Sequence, residues 1–436
     1  MSTKFNDIAR CEGKMTTAKG VNIYDMRSPG LHGFCLCLYA RGGVLYESLK
    51  DTGISHFVEH IVFRNINNIM NGELYNTLDE QGLTFTAATY KEFMQFSITG
   101  ECSKFSLAAD IITKLFEELR DELKREDFEL ERGRIRAEIR EYDEKASLDY
   151  LVKKRVWQNK PAADMITGTL GSVSKITLSK CEKERKEIFS SGNFFFYITG
   201  NICDEDIEYL VGATDKYDFG KCAERENFSP TPSDYMARKS EVLTKDASYY
   251  MVEMCFDMDV PNASKEVRNL FYDMMFSGEN CRFFRELSEK LGYIYSYDAK
   301  IEEYKNSGNI SISYEVAYKN LYESISAAAQ LFCSMKDDAS GLSRAKVYYT
   351  DNACLMLDNA EELNWTMAYE NHILDGKVKS IEEKKNRYAA VGAEDIKALA
   401  RSVFRTQNLV VGVKGRKKNI DTAKISEIFS VLDENK

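Results

Sequence analysis

The run Gly53-Ile54-Ser55-His56-Phe57-Val58-Glu59-His60-Ile61-Val62-Phe63 is the least accidental stretch of this chain. A glycine opens it, and Phe57, Ile61 and the pair Val58 and Val62 recur at helical spacing, so residues 55–63 read as a helix carrying His56, Glu59 and His60. Residues four apart share a face, so both imidazoles can grip one metal ion, with a carboxylate one position before the second histidine. Zinc suits this set because it accepts imidazole and carboxylate and leaves a position for water. With only 4 histidines in 436 residues, H-x-x-E-H arises by chance in well under about one such chain in a hundred. Two histidines alone do not hold a catalytic zinc. A third ligand must come from elsewhere.

Outward from this helix, residues 21–26, 33–40 and 93–99 read as strands, rich in aromatic and β-branched side chains. Residues 105–119 carry an apolar helical stripe. A charged helix follows over 126–145, where Glu131, Ile135, Glu138 and Tyr142 fall on one face, so two carboxylates lie on an inward stripe. Residues 193–202 (NFFFYITGNI) read as a buried strand, and Ser229-Pro230-Thr231-Pro232-Ser233-Asp234 is the densest cluster of breakers. The second half again offers strands, at 248–257 and 309–314, and helices. It closes on 408–415 (NLVVGVKG), which echoes the earlier strand and suggests an internal duplication. The expected class is α+β, with domains at 1–220 and 241–436 joined by a linker at 221–240.

The length predicts two or three domains, and a 44% hydrophobic, 29% charged composition is that of an ordinary globular protein. The formal charge of 59 − 69 = −10, without a basic block, argues against nucleic acid and anionic membrane surfaces. Residues 1–14 lack an apolar signal core, and no stretch approaches the roughly 18 apolar residues of a membrane span. Eleven cysteines without a C-x-x-C pair read as reduced thiols in a cytoplasmic protein. Cys35 and Cys37 share one face of a strand and read as core. His32 and His372 read as structural, and the charged runs 182–186 and 414–418 as solvated faces.

The motif around His56 resembles that of the inverzincins, the pitrilysin and mitochondrial processing peptidase family, whose signature is close to G-x-x-H-F-x-E-H-x-x-F. Further similarity lies at Ile166-Thr167-Gly168-Thr169 and over 172–177, 193–201, 284–296 and 393–415. The resemblance implies two homologous domains, each a mostly antiparallel sheet packed with helices, forming half of a clamshell chamber like the short two-domain bacterial processing proteases. It implies a zinc metalloendopeptidase with one Zn2+ per chain. The family's third ligand is a glutamate about 76 residues beyond the second histidine on a helix carrying E-R-x-x-x-x-x-E. Glu138, after 77 intervening residues, matches it, and Glu131 matches the supporting acid; the offset leaves Glu141 as an alternative. His56, His60 and Glu138 are then the metal ligands and Glu59 the general base, with Glu131 assisting.

The resemblance further implies that an extended peptide substrate adds to an edge strand at Thr86-Ala87-Ala88, where the family's Asn is replaced by Thr86. In the second domain Leu287-Ser288-Glu289-Lys290-Leu291-Gly292-Tyr293-Ile294-Tyr295-Ser296 resembles L-R-E-K-L-G-x-x-Y-S, whose Arg and Tyr serve the substrate carbonyl. Tyr295 is present, Ser288 replaces the Arg, and Arg282 and Arg285 stand nearby. The resemblance therefore points to the zinc subunit of a heterodimer, with a homologous partner carrying Arg and Tyr, acting in leader- or targeting-peptide processing or in peptide degradation. At 436 residues the chain is also about half of the larger single-chain relatives. A self-sufficient homodimer and a non-catalytic peptide-binding scaffold are the alternatives.

Overall fold

Two sheets built on one plan organise the chain. The computed structural model describes residues 11–48, 50–141, 147–157, 161–220, 225, 241–244, 249–374, 380–416 and 420–433. The first sheet contains β1 (Gly13–Thr16), β2 (Asn22–Arg27), β3 (Gly33–Arg41), β4 (Thr84–Thr89), β5 (Phe93–Glu101) and β6 (Phe194–Gly200), in the order β1-β2-β6-β3-β5-β4. The second contains β7 (Glu241–Thr244), β8 (Tyr250–Met258), β9 (Tyr297–Glu303), β10 (Gly308–Val316) and β11 (Leu409–Gly415), in the order β7-β11-β8-β10-β9. With β1 set aside, both run first, fifth, second, fourth, third along the chain. Each has one parallel pair, β2 with β6 and β7 with β11, and antiparallel pairs elsewhere. That shared order and direction is the structural mark of a duplicated α+β domain.

The chain divides into two compact units. One takes Met1–Tyr142, Asp164–Phe228 and Ala353–Lys384; the other takes Asp143–Ala163, Ser229–Asn352 and Lys385–Lys436. The linker expected at 221–240, with its breaker cluster, lies outside the described residues apart from Arg225. Each unit thus contains a segment from the other half of the sequence, because each sheet needs both faces covered. In the first unit the strand period of two sends Leu36, Leu38 and Ala40 into the helical core and Cys35, Cys37 and Tyr39 to the opposite face. That second face is covered by the helix Ala360–Ala368, whose Asn364 donates to the carbonyls of Cys35 (3.1 Å) and Tyr197 (2.9 Å) and accepts from the Tyr39 hydroxyl (3.0 Å). Burial pushes the Cys35 thiol up to about 12, so it stays protonated and behaves as core.

The helices that build the site are α1 (Ile54–Ile69), α2 (Leu74–Gln81), α3 (Phe105–Thr113), α4 (Leu119–Glu122) and α5 (Arg125–Glu141). Two expectations need correction. The helix expected over 105–119 stops at Thr113 and ends in a 3-10 turn, Lys114–Phe116, before Glu117 and Glu118 turn extended. Its end is closed by the run expected to be a solvated face: Arg185, 3% exposed, donates to the carbonyls of Leu115 and Phe116, while buried Glu182 pairs with it and accepts from the Leu119 amide. Orphan carbonyls at a buried helix end need such donors. The charged helix, expected over 126–145, is described only as far as Glu141, and Tyr142 lies outside the described residues.

In the second unit α6 (Leu148–Trp157) packs over Gly412 of β11 so closely that a Cβ there would meet Val152 at 2.5 Å. The same face carries Glu253 in mid-strand on β8, 3% exposed. Burial, aided by the charge of Asp149 and opposed by Lys153 and Lys300, raises its carboxyl to about 8. A carboxyl raised in the folded state contributes stability fully below its unfolded value near 4.5, and that contribution is lost as pH rises through about 8. The parent is therefore expected to lose stability relative to Glu253→Gln between pH 5 and 8 by up to about 1.4 kcal/mol per pH unit, and the curves should run parallel above that window. Urea denaturation of both proteins across that range checks this; parallel curves throughout would contradict it. No helix among the described residues is long and apolar enough to cross a membrane.

Candidate metal centre

α1 starts without a side-chain cap of its own. Gly53 sits at φ 91°, and its amide and that of Ser55 donate to the two oxygens of Glu47, at 2.7 and 2.8 Å, so a buried carboxylate from the preceding loop serves as the helix cap. Ser55 Oγ accepts from the Gly43 amide at 3.0 Å. A Cβ on Gly53 would meet the Thr167 carbonyl oxygen at 2.7 Å, and one on Gly168 would meet the Thr52 carbonyl oxygen at 2.5 Å, so the two glycines let the 164–169 loop close on the helix start. Phe57, fully buried, stacks on Phe128 of α5 with ring centroids 4.9 Å apart. Arg132 lies over both rings and donates to the carbonyls of Val173 and Ile176, which ties α5 to the short helix Leu170–Val173 and the turn after it. The depth and rotation of both helices are set before any metal is considered.

On that frame His56 Nε2 lies 3.7 Å from Glu138 Oε1, and His60 Nε2 lies 3.6 Å from Glu138 Oε2. These separations are too long for hydrogen bonds. One donor atom from each of the three residues falls within 4.8 Å of the others, and among the described residues no other such group of three was found; Glu141, exposed at the end of α5, is not part of it. Burial, helped by the neighbouring His60, pushes His56 down to about 3, so the imidazole stays neutral, the form in which it ligates. Two imidazole nitrogens and a carboxylate converging without bonding one another fit zinc. Glu131 and Glu138 are seven positions apart, two turns on one face of α5, and Glu131 Oε2 stands 3.5 Å from His60 Nδ1. Burial alone would raise Glu131, but His60 and Arg64 outweigh it and hold the carboxyl below its ordinary value.

Glu59 lies beside the cluster. Burial raises its carboxyl, opposed by a short hydrogen bond of 2.5 Å from the Thr89 hydroxyl. Thr89 belongs to β4, whose residues Thr86, Ala87 and Ala88 pair with Ser97, Phe96 and Gln95 of β5; β4 ends the sheet, so its other edge is not paired with a described strand. Helix base and edge strand are thereby joined. Sequence reasoning missed Thr89 as a partner of Glu59, Glu47 as the cap of α1, and Arg64 as the clamp on Glu131. Thr89 directly follows the quoted strand residues Thr86-Ala87-Ala88, whereas nothing local marks Glu47.

In the second unit Tyr295 is 94% exposed. Ser288 lies within a π-helical turn, Arg285–Lys290. Arg282 is engaged with Asp338, with Ser340 Oγ at 2.6 Å and with Met335 Sδ at 2.6 Å, while Arg285 is exposed.

Comparison with known proteins places this geometry in context. The sequence profile described as Insulinase (Peptidase family M16) matches residues 33–170, and that of the Peptidase M16 inactive domain matches residues 175–350. An uncharacterised zinc protease of Bacillus subtilis, YmxG, is 20% identical over 405 residues, covering 90% of this chain and 95% of its own. Another, from Rickettsia felis, is 23% identical over 417 residues with the same coverages. Among solved structures, a protease from Helicobacter pylori superposes with a TM-score of 0.82 at 14% identity, over 93% of this chain and 99% of its own. The periplasmic protease PqqL of Escherichia coli gives 0.77 at 14% identity, over 98% of this chain and 50% of its own.

Proposed function

This chain belongs to peptidase family M16, and from that premise we propose that it is a zinc-dependent endopeptidase that cleaves extended or unfolded peptides, with His56, His60 and Glu138 as the metal ligands. The observation that carries the reading is the convergence of those three side chains within 4.8 Å, with Glu59 next to them. Zinc, one ion per chain, supplies Lewis acidity toward the scissile carbonyl and toward water. Glu59 takes the proton from the attacking water and returns it to the leaving amine. Desolvation raises its carboxyl above the ordinary range, which makes it a stronger proton acceptor than a solvated carboxylate. Glu131 holds His60 through Nδ1 and so fixes which nitrogen faces the metal. The open edge of β4 at Thr86, Ala87 and Ala88 pairs with the peptide backbone, which accounts for a preference for extended chains.

The finer reading is that of a zinc subunit paired with a homologous partner. Ser288 lacks the donor of its relatives, and Arg282 is committed to Asp338 and Ser340, which supports a carbonyl-binding Arg and Tyr coming from another chain. The twofold length of PqqL is compatible with such a pairing of halves. Among the described residues Cys35, Cys37, Cys181 and Cys281 are buried thiols outside any disulfide, which supports a reducing, cytoplasmic setting. The test is cleavage of an unfolded peptide, followed by mass spectrometry, before and after chelation and with zinc restored. Chelation is expected to abolish cleavage and zinc to restore it. Cleavage that survives complete removal of zinc sinks the peptidase reading, and a zinc-free chain that still binds peptide favours a scaffold. Equal rates with and without a homologous partner chain sink the divided site and favour a homodimer.

A further inference from the structure

Beside Glu59 and His60 opens a cavity of about 430 Å3, and its lining is chemically divided. Phe63 and Phe85, ring centroids 4.5 Å apart, make an apolar wall, while Arg64 and Arg134 stand across from them. Both guanidinium groups bond one oxygen of Glu131: Arg64 through Nε at 2.8 Å and Nη2 at 2.6 Å, Arg134 through Nη1 at 3.2 Å. The other oxygen faces His60. Two cations thus share one carboxylate, and the cavity's other carboxyl, Glu59, is bonded to Thr89, so guanidinium donors at this wall remain available to a ligand. Arg134 is the freer of the two, its side chain 64% exposed against 19% for Arg64.

We propose that this cavity receives the substrate side chain flanking the scissile bond, and that Arg134, backed by Arg64, selects glutamate there and rejects lysine and arginine. The inference rests on the zinc-peptidase reading and adds the chemical class of the substrate residue. A glutamate lays its methylenes on the Phe63 and Phe85 wall and brings its carboxylate to guanidinium donors that Glu131 does not occupy. Lysine places an ammonium against the same groups, so discrimination comes from repulsion as well as attraction. The preference runs against the chain's net charge of −10, which at long range favours basic peptides; the cavity acts at contact distance, through hydrogen bonds from the guanidinium donors of Arg134 and Arg64.

The experiment uses one unfolded peptide with a single cleavable bond and Glu, Gln or Lys at the flanking position, with two readouts. One is the kcat/KM ratio of the Glu to the Lys peptide with zinc present. The other is the ratio of Kd values for fluorescein-labelled versions on the Glu59→Gln chain, by anisotropy, which needs neither turnover nor a partner. Partial exposure of Arg134 limits the expected preference to about tenfold for Glu over Lys. Arg134→Gln should bring both ratios near one and Arg134→Glu should invert them, and a general loss of activity cancels within each ratio. A parent that prefers Lys, or ratios unchanged by both Arg134 substitutions, overturns the inference while zinc-dependent cleavage leaves the peptidase reading standing. A parent that cleaves nothing with zinc present, alone and with a homologous partner chain, defeats that reading, and the Kd ratios still decide the cavity.

Discussion

Replacing Glu59 by glutamine is expected to lower turnover of an unfolded peptide by about 10²–10⁴-fold while bound zinc stays at the parent level. The side chain keeps its size and can still accept from Thr89, but an amide cannot take a proton from water. Because Glu59 stands outside the converging set of His56, His60 and Glu138, the metal should be unaffected. His56→Ala separates the two roles. It removes a ligand atom from a site that is 7% exposed, so zinc and activity should fall together. Elemental analysis and kcat on the same preparations measure both. A Glu59→Gln chain that cleaves at the parent rate, or a His56→Ala chain that retains zinc, would sink the assignment.

Glu47→Ala is expected to cost about 3 kcal/mol of stability and to weaken zinc binding at a distance. The Glu47 carboxyl accepts from the amides of Gly53 and Ser55, at 2.7 and 2.8 Å; burial raises it to about 7, so it is partly charged at neutral pH, and each bond is worth about 1–2 kcal/mol, between a neutral and a charged acceptor. Gly53 has no side chain to take over the cap, and its φ of 91° is held by the close approach of Gly168. Without Glu47 the first turn of α1 should fray, and His56, the residue after Ser55, lies in that turn. Urea denaturation and a zinc titration measure the two effects. A change below about 0.5 kcal/mol with unaltered zinc affinity would show that Glu47 does not set the helix start.

Much of the site was legible because its ligands sit on two helices at helical spacing. His56, Glu59 and His60 follow from one turn, and Glu131 and Glu138 from two turns of a charged helix whose inward face also carries Ile135. The interactions left unread are those in which residues distant in sequence meet: Thr89 on Glu59 across 30 positions, Arg64 on Glu131 across 67. Periodicity reports which face a residue occupies and is silent about what that face meets. The same limit produced the error at 105–119, where an unbroken apolar stripe hid a helix end that Arg185 closes from far along the chain.

By itself the sequence determined the α+β class and the motif helix with His56, Glu59 and His60 on it, since amphipathic period and ligand spacing are local properties of a chain; Glu138 was implied by the family resemblance, with Glu141 left open. Only the tertiary structure decided that the two sheets share one strand order, that segments 143–163 and 353–384 change units, and that two arginines meet on Glu131 beside the metal cluster. Those outcomes depend on which buried surface each element finds. A helix that covers a sheet face is stabilised equally well from either half of the chain, so no local pattern records the choice.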